Sequence, residues 1–270
     1  GFNITSSSRV LQLASPSFDV SLHEMFTALL CGGTLVLINK DKITTPMSFL
    51  NYVEEKRVSI ASMSPAFLKT LEHHPLPTIH TLVTGGEPPS KEEVSFYHKT
   101  KQYINAYGPT ETSVCAAYYR VTSDTNYRGN LPIGKPVANI SIYILNKSLQ
   151  PVPIGISGEI CISGVGLARG YVNNPVSTAE KFIAHPFNKC QRLYRTGDLG
   201  RWLPDGNIEF FGRKDDQVKI RGYRIECGEI EQTLLQHPGV EQAVVVARII
   251  PGETQELVGY FISREELTVS

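Results

Sequence analysis

Residues Asn105-Ala106-Tyr107-Gly108-Pro109-Thr110-Glu111-Thr112 place an aromatic ring, a tight turn, a hydroxyl and a carboxylate in one short loop. A purine can stack on the Tyr107 ring while Glu111 holds a magnesium ion beside its phosphates. The same residues also read as an ordinary polar turn, so the surrounding sequence has to decide. Upstream, Glu24–Leu30 carries a helical apolar pattern. Thr34-Leu35-Val36-Leu37-Ile38 is a continuous apolar run of the kind that forms a strand buried on both faces. A helix over Pro46–Lys56 follows, then a strand at Val58–Met63 and a short helix from Ser64-Pro65 to near Leu71. A further strand at Thr81–Thr84 ends in Gly85-Gly86. This alternation predicts an α/β fold with a mostly parallel sheet, whose ligands collect at the carboxyl ends of the strands. Ser62, Gly85 and Tyr107 all fall at such ends, as a shared site requires.

From about Val114 to Arg213 the texture changes. Short β-rich runs (Ser141–Leu145, Gly158–Ile162, Ile208–Phe211) alternate with Gly, Pro and Asn, which predicts a small β-barrel-like subdomain. Pro204-Asp205-Gly206-Asn207 is a hairpin turn between Arg201–Leu203 and Ile208–Phe211. Beyond Gly212 lie a charged link (Arg213–Gln217), a strand at Val218–Ile220, an amphipathic helix around Glu229–Gln236 and a strand at Val240–Ala247. That last unit is too short for a complete core and reads as the start of a small α+β domain. The chain opens at Gly1 rather than Met and reads as a piece of something longer.

Of 270 residues, 41% are hydrophobic and 19% charged, ordinary for a globular protein with material for a core. Lys+Arg and Asp+Glu both number 26, so no global field attracts nucleic acid or anionic lipid, and neither is an expected partner. No apolar run reaches membrane-spanning length. Cys31, Cys115, Cys161, Cys190 and Cys227 are scattered and form no CxxC pair. They fit a reducing, cytoplasmic location better than a zinc site or a disulfide framework.

Three short patterns fail on their own terms. Gly129 to Lys135 matches GxxxxGK, but Pro136 stands where a Ser or Thr must coordinate magnesium. Gly164-Val-Gly166-Leu-Ala-Arg-Gly170 has the wrong glycine spacing for a dinucleotide loop, and His23-Glu24 meets Thr27 where a second zinc ligand belongs. Four longer segments each carry two readings. Asp19, within Ser17-Phe18-Asp19-Val20-Ser21, is either a helix cap or a pocket carboxylate for a substrate ammonium. Gly158 to Tyr171 reads largely as a tight β-corner. Tyr194-Arg195-Thr196-Gly197-Asp198-Leu199 is either a turn or a carboxylate presented after a glycine to grip both ribose hydroxyls. Gly212 to Glu226 is either a solvated charged strand or part of a site.

Together with the Tyr107 loop, these segments occur in an order and spacing that resembles the adenylation domains of nonribosomal peptide synthetases, in the adenylate-forming ligase superfamily. The resemblance covers nearly the whole chain. It implies that residues 1–213 are the later part of a large N-terminal adenylation domain, with 1–113 its α/β part and 114–213 its β-rich part. Residues 214–270 would be an incomplete mobile C-terminal domain. It implies ATP-dependent activation of an amino acid as aminoacyl-AMP, then transfer to the phosphopantetheine thiol of a carrier protein. ATP and Mg²⁺ would be cofactors, with peptidyl carrier and condensation domains as partners. Residue by residue, Tyr107 would stack on adenine, Asn105 would contact its edge, and Gly85 and Gly86 would border the nucleotide. Thr110 would approach the α-phosphate, Glu111 hold Mg²⁺, and Asp198 bind the ribose with Arg213 close by. Asp215 matches the hinge of the small domain, and Gly222 and Tyr223 would face the incoming pantetheine arm.

The family's phosphate loop and catalytic lysine have no counterpart between Gly1 and Ser270, so residues 1–270 by themselves are expected to be inactive. The family's substrate-pocket positions fall on Asp19, Val20, His23, Ser62, Val83, Gly85, Ala106, Val114 and Cys115. Most are small or medium in size, and no second charge is present to neutralise a charged side chain, so Asp, Glu, Lys and Arg are disfavoured. The closing Ala106, Val114 and Cys115 set resembles that of aromatic-activating members, which implies an aromatic or large apolar amino acid as substrate. His23 either meets an aromatic ring or only fills space beside a bulky aliphatic. Two rival classes stay open: an acyl-CoA synthetase-like carboxylate ligase, against which Asp19 argues, and a non-catalytic degenerate fragment.

Overall fold

A computed structural model describes residues 3–122, 130–214, 217–220, 223–249 and 255–263, and the chain divides into two units, Gly1–Gly212 and Arg213–Ser270. In the first unit the strands β1 (Arg9–Gln12), β2 (Thr34–Leu37), β3 (Ile60–Met63), β4 (Thr81–Gly85) and β5 (Gln102–Tyr107) run parallel. Antiparallel β6 (Ala117–Arg120) and β7 (Lys135–Pro136) extend them into a seven-stranded sheet ordered β2-β1-β3-β4-β5-β6-β7. The crossovers are α1 (Val20–Leu30), α2 (Pro46–Glu55), α3 (Pro65–Lys69) and α4 (Lys91–Tyr97). Three of these helices have explicit start signals. The side chains of Thr45, Ser64 and Ser90 accept the amide hydrogens of Ser48, Phe67 and Glu93 at 3.2 Å, and Pro46 and Pro65 open α2 and α3.

Alternating side chains give the sheet two buried faces. Leu11, Ala61, Leu82 and Tyr103 pack with Phe49, Val53, Leu68, Val94 and Tyr97 on one side. Val10 and Ile60 pack with Ala28 of α1 on the other. One expectation is corrected here. The apolar run at Thr34 is not a strand buried on both faces, because β2 is the sheet edge, only its Val36 is buried, and Leu37 is 62% exposed. An apolar run reports composition; it does not report how many neighbours a strand will find.

The β-rich part consists of β8 (Ile140–Leu145), β9 (Gly158–Gly164), β10 (Phe182–Ala184), β11 (Arg192–Trp202) and β12 (Ile208–Arg213). They form an antiparallel sheet ordered β10-β11-β9-β8 with β12 on β11, and α5 (Pro175–Lys181) leads into β10. The turn at Pro204–Asn207 forms as expected, with the Leu203 amide donating to the Asn207 carbonyl at 2.8 Å and Gly206 at φ +79. The described pairings leave this sheet open and do not close a barrel. The outer edge of β12 is taken by the first sheet instead: Ile133 and Ile208 exchange backbone bonds with the Ile208 and Gly134 carbonyls at 2.8 and 2.9 Å. Tyr107, Ala116, Ala117 and Ile133 share one core with Ile142, Ile160, Ile162 and Ile208 at this junction.

In the second unit β13 (Gln217–Ile220) pairs with β14 (Tyr223–Glu226), and α6 (Cys227–Leu235) packs on β15 (Val240–Ile249), which pairs with β16 (Gln255–Ser263). The Glu231 carboxylate accepts the Val245 amide at 2.8 Å. Asp215 and Gly222 lie outside the described residues. Among those described, no helix is long and apolar enough to cross a membrane.

The seating of α1 depends on Glu24, which is 1% exposed and accepts the backbone amides of Leu13 and Ala14 at 3.1 Å. Burial pushes its carboxyl up from 4.5 to about 7, against the pull of those two bonds. Folding therefore favours the protonated form, so this contribution to stability is present below the ordinary glutamate value and lost as pH rises through about 7. Glu24→Gln should remove it. In urea titrations across about pH 5 to 8, wild-type stability measured relative to the variant should fall as pH rises; a difference that stays flat or rises contradicts the assignment.

Candidate active site

Ser62, Val83, Gly85 and Ala106 lie on one face of the sheet, near the carboxyl ends of their strands. The register pairs Ser62 with Val83 and Gly85 with Ala106, and the two-residue period then aligns all four. Ile60 shares that face with Ser62 and packs with Ala28, so this is also the face on which α1 lies. Asp19, Val20 and His23 occupy the start of α1 and are half-buried. Asp19 stands at the cap position, but it has helical φ and ψ and its side chain makes no capping bond. The cap reading of Asp19 is thereby set aside. Burial lowers His23, keeping its imidazole neutral near neutral pH, and its Nδ1 lies 3.4 Å from the Thr27 hydroxyl. Burial raises the Cys115 thiol to about 11, so it is a protonated wall group rather than a nucleophile.

The loop carrying Val114 and Cys115 folds back on the end of β5. The Ala116 amide donates to the Tyr107 carbonyl at 2.8 Å, and a Cβ on Gly108 would meet the Val114 carbonyl at 2.3 Å, so only glycine fits. Ser113 and Val114 both take left-handed backbone, at φ +63 and +71, a sparsely populated state for a β-branched residue.

Tyr107 is 9% exposed, and its hydroxyl donates to Asp198 Oδ2 at 2.5 Å. Burial, then Asp198, raise the phenol well above its ordinary value, so it stays a donor. Asp198 reaches Tyr107 because β11 is bulged. Arg195 pairs with Cys161 but Leu199 pairs with Glu159, so Thr196-Gly197-Asp198 is extruded from the ladder. Gly197 takes φ +78 there. The Thr196 hydroxyl ties the bulge to the Ile160 carbonyl at 2.7 Å and accepts the Asp198 amide at 2.9 Å. Glu159 holds the other side, accepting from the Gly197 amide at 3.2 Å and from Arg195 at 2.9 Å. The segment expected as a possible turn is thus a bulge inside an 11-residue strand. Asn105 is buried and donates one amide hydrogen to the Pro132 carbonyl at 2.9 Å, which leaves Oδ1 and the second amide hydrogen for an adenine contact.

Glu111, in the 3₁₀ turn Thr110–Thr112, is 7% exposed and accepts the Tyr171 hydroxyl at 2.8 Å. No group of three or more His, Cys, Asp or Glu side chains converges among the described residues. Magnesium, however, is commonly bound through one or two carboxylates plus substrate phosphates and water, and a single oriented glutamate fits that donor set. Gly86 is exposed at φ +86 and Thr110 is exposed. Arg213 opens the second unit, where Tyr223 is also exposed. Sequence reading missed Tyr171, Tyr194, Thr196 and Glu159, although each lies in a segment already singled out.

The model of the AMP-binding enzyme family matches residues 1–172, and the chain belongs to that family. A linear gramicidin synthase from Brevibacillus parabrevis is 48% identical over 263 residues, 97% of this chain and 5% of that protein. Tyrocidine synthase 1 of the same organism is 46% identical over 267 residues, 99% of this chain and 24% of that protein. Among solved structures, holo-PA1221, described as an NRPS protein containing adenylation and PCP domains bound to a vinylsulfonamide inhibitor, superposes with TM-score 0.89 at 30% identity. That match covers 98% of this chain and 47% of the other. NpsA-ThdA, an artificially fused adenylation–PCP di-domain NRPS from Klebsiella oxytoca, gives TM-score 0.85 at 27% identity over 99% of this chain and 51% of its own. The chain therefore spans a small part of these synthases and about half of the solved chains.

Tyr107→Phe removes a charge-assisted donor from buried Asp198 and should cost about 1.5–3 kcal/mol in urea unfolding. A change within about 0.5 kcal/mol, the ordinary range for a surface substitution, would show that the bond carries no weight.

Proposed function

We propose that this chain is the central part of an adenylation domain that activates an amino acid for nonribosomal peptide synthesis. What carries the reading is one juxtaposition. Ser62, Val83, Gly85 and Ala106 share one face at the end of the parallel sheet, and the Tyr107–Asp198 pair stands where β5 ends. In the first half-reaction an oxygen of the amino-acid carboxylate bonds to the α-phosphorus of ATP while the bond to pyrophosphate breaks, leaving aminoacyl-AMP. In the second, a carrier-domain phosphopantetheine thiolate attacks the acyl carbon, and AMP departs as the thioester forms. Both half-reactions put charge on phosphate oxygens, where electrostatic stabilisation matters most.

Within that scheme Asp19 pairs with the α-ammonium, and Val20, His23, Ser62, Val83, Gly85, Ala106, Val114 and Cys115 surround the side chain. Neutral His23 and a protonated Cys115 offer no counter-charge, which favours an aromatic or large apolar substrate over Asp, Glu, Lys or Arg. Tyr107 takes the purine, Asp198 the ribose hydroxyls, and Thr110 the α-phosphate. Glu111 would hold Mg²⁺, which supplies charge neutralisation at the phosphates when bound. Residues 1–213 act as the later part of the large domain and 214–270 as part of a small one turning about Asp215 between the half-reactions. Carrier and condensation domains are the proposed partners and the cytoplasm the proposed location.

Amino-acid-dependent ATP–pyrophosphate exchange by the intact protein tests this. Exchange should run fastest with Phe, Tyr, Trp or a close homologue, and fatty acids should give none. Asp19→Ala should raise KM for the amino acid at least tenfold, from the loss of a pair worth about 1.5–3 kcal/mol, with much less effect on ATP. Preference for Gly, Ala or a charged amino acid would overturn the pocket assignment, and exchange with fatty acids the substrate class.

A further inference from the structure

We propose that Tyr171 and Tyr194 are positioning residues whose paired hydroxyls fix the direction of the Glu111 carboxylate for a divalent cation, an inference that rests on Glu111 being the magnesium residue. The Tyr171 hydroxyl donates to Oε1 at 2.8 Å. The Tyr194 hydroxyl lies 3.3 Å from that of Tyr171, so Tyr171 is held between Glu111 and a second phenol. An ionised carboxylate offers about four acceptor positions. The Tyr194–Tyr171–Glu111 chain therefore hinders its rotation and still leaves lone pairs for a metal.

The phenols are themselves fixed. Tyr194 is fully buried and Phe182 packs between the two rings, with centroids 5.6 Å from Tyr171 and 4.8 Å from Tyr194. The Tyr171 amide donates to the Thr178 hydroxyl of α5 at 2.9 Å. The Gly164–Tyr171 corner also grips the Glu111 backbone: the Ala168 amide donates to the Glu111 carbonyl and the Ser113 hydroxyl to the Gly166 carbonyl, each at 2.8 Å. Arg192 closes the corner from behind, donating to the Arg169 and Ala168 carbonyls at 2.8 and 2.7 Å. Magnesium demands near-ideal octahedral geometry, so the direction of its one protein carboxylate counts. Partners that orient a ligating group typically govern 10–100-fold in metal affinity.

The test is Mn²⁺ binding, followed by electron paramagnetic resonance, to the intact protein with α,β-methylene ATP. Tyr171→Phe and Tyr194→Phe should each weaken Mn²⁺ retention about tenfold. In a Glu111→Gln background, Tyr171→Phe should add nothing further. Unchanged Mn²⁺ affinity in Tyr171→Phe, with or without a lower melting temperature, leaves the tyrosine a packing residue and overturns the proposal. Should Tyr194→Phe fail to fold, Tyr171→Phe decides alone, since Tyr171 is only half-buried. A wild-type protein that binds nucleotide but retains no Mn²⁺ would instead overturn the magnesium reading of Glu111, and with it this inference.

Discussion

The hydrogen bond from Tyr107 to Asp198 joins the last residue of a parallel strand to a bulge in the antiparallel sheet. It bridges 91 residues of sequence, and the Tyr107 side belongs to the core that unites the two sheets. If the bulge in β11 were ironed out, Asp198 would return to the ladder and point with its strand's own alternation. The site would lose a carboxylate and the junction a bond. The bulge is held open from both flanks, by Thr196 on the Ile160 carbonyl and by Glu159 on the Gly197 amide. Thr196 and Glu159 thus determine where the acid sits.

A second constraint is crowding around the loop that follows Tyr107. Gly108 approaches Val114 too closely for a Cβ, and Ser113 and Val114 adopt left-handed backbone. Such a conformation persists only when its surroundings over-determine it. Here they do, through the Ala116 amide on the Tyr107 carbonyl, the Ala168 amide on the Glu111 carbonyl and the Ser113 hydroxyl on the Gly166 carbonyl. The β-corner, which reads in sequence largely as a fold-back, therefore braces the acidic loop.

The parallel part of the fold was legible because its strands are short apolar runs closed by Gly or Ser-Pro. Ser62, Gly85 and Tyr107 do reach the ends of adjacent strands. What composition could not convey was neighbour count. The Thr34 run looked fully buried and became an edge, and the β-rich runs looked like a barrel until β12 spent its second edge on Gly134. The helix at Lys91–Tyr97 went unread because its signal is a capping box, Ser90 with Glu93, rather than a strong apolar stripe. The phenols at Glu111 were hidden for another reason. Tyr171 and Tyr194 lie 60 and 83 residues after Glu111 in sequence, and only the packing around Phe182 brings them together.

The central claim is that one junction between two sheets holds the nucleotide. A crystal structure of the intact protein with AMP tests it most directly. The purine should lie on the Tyr107 ring and both ribose hydroxyls should bond Asp198, with the bulge at Thr196–Asp198 unchanged. AMP bound elsewhere, or bound at the sheet end with Asp198 still out of reach of the ribose, would contradict it.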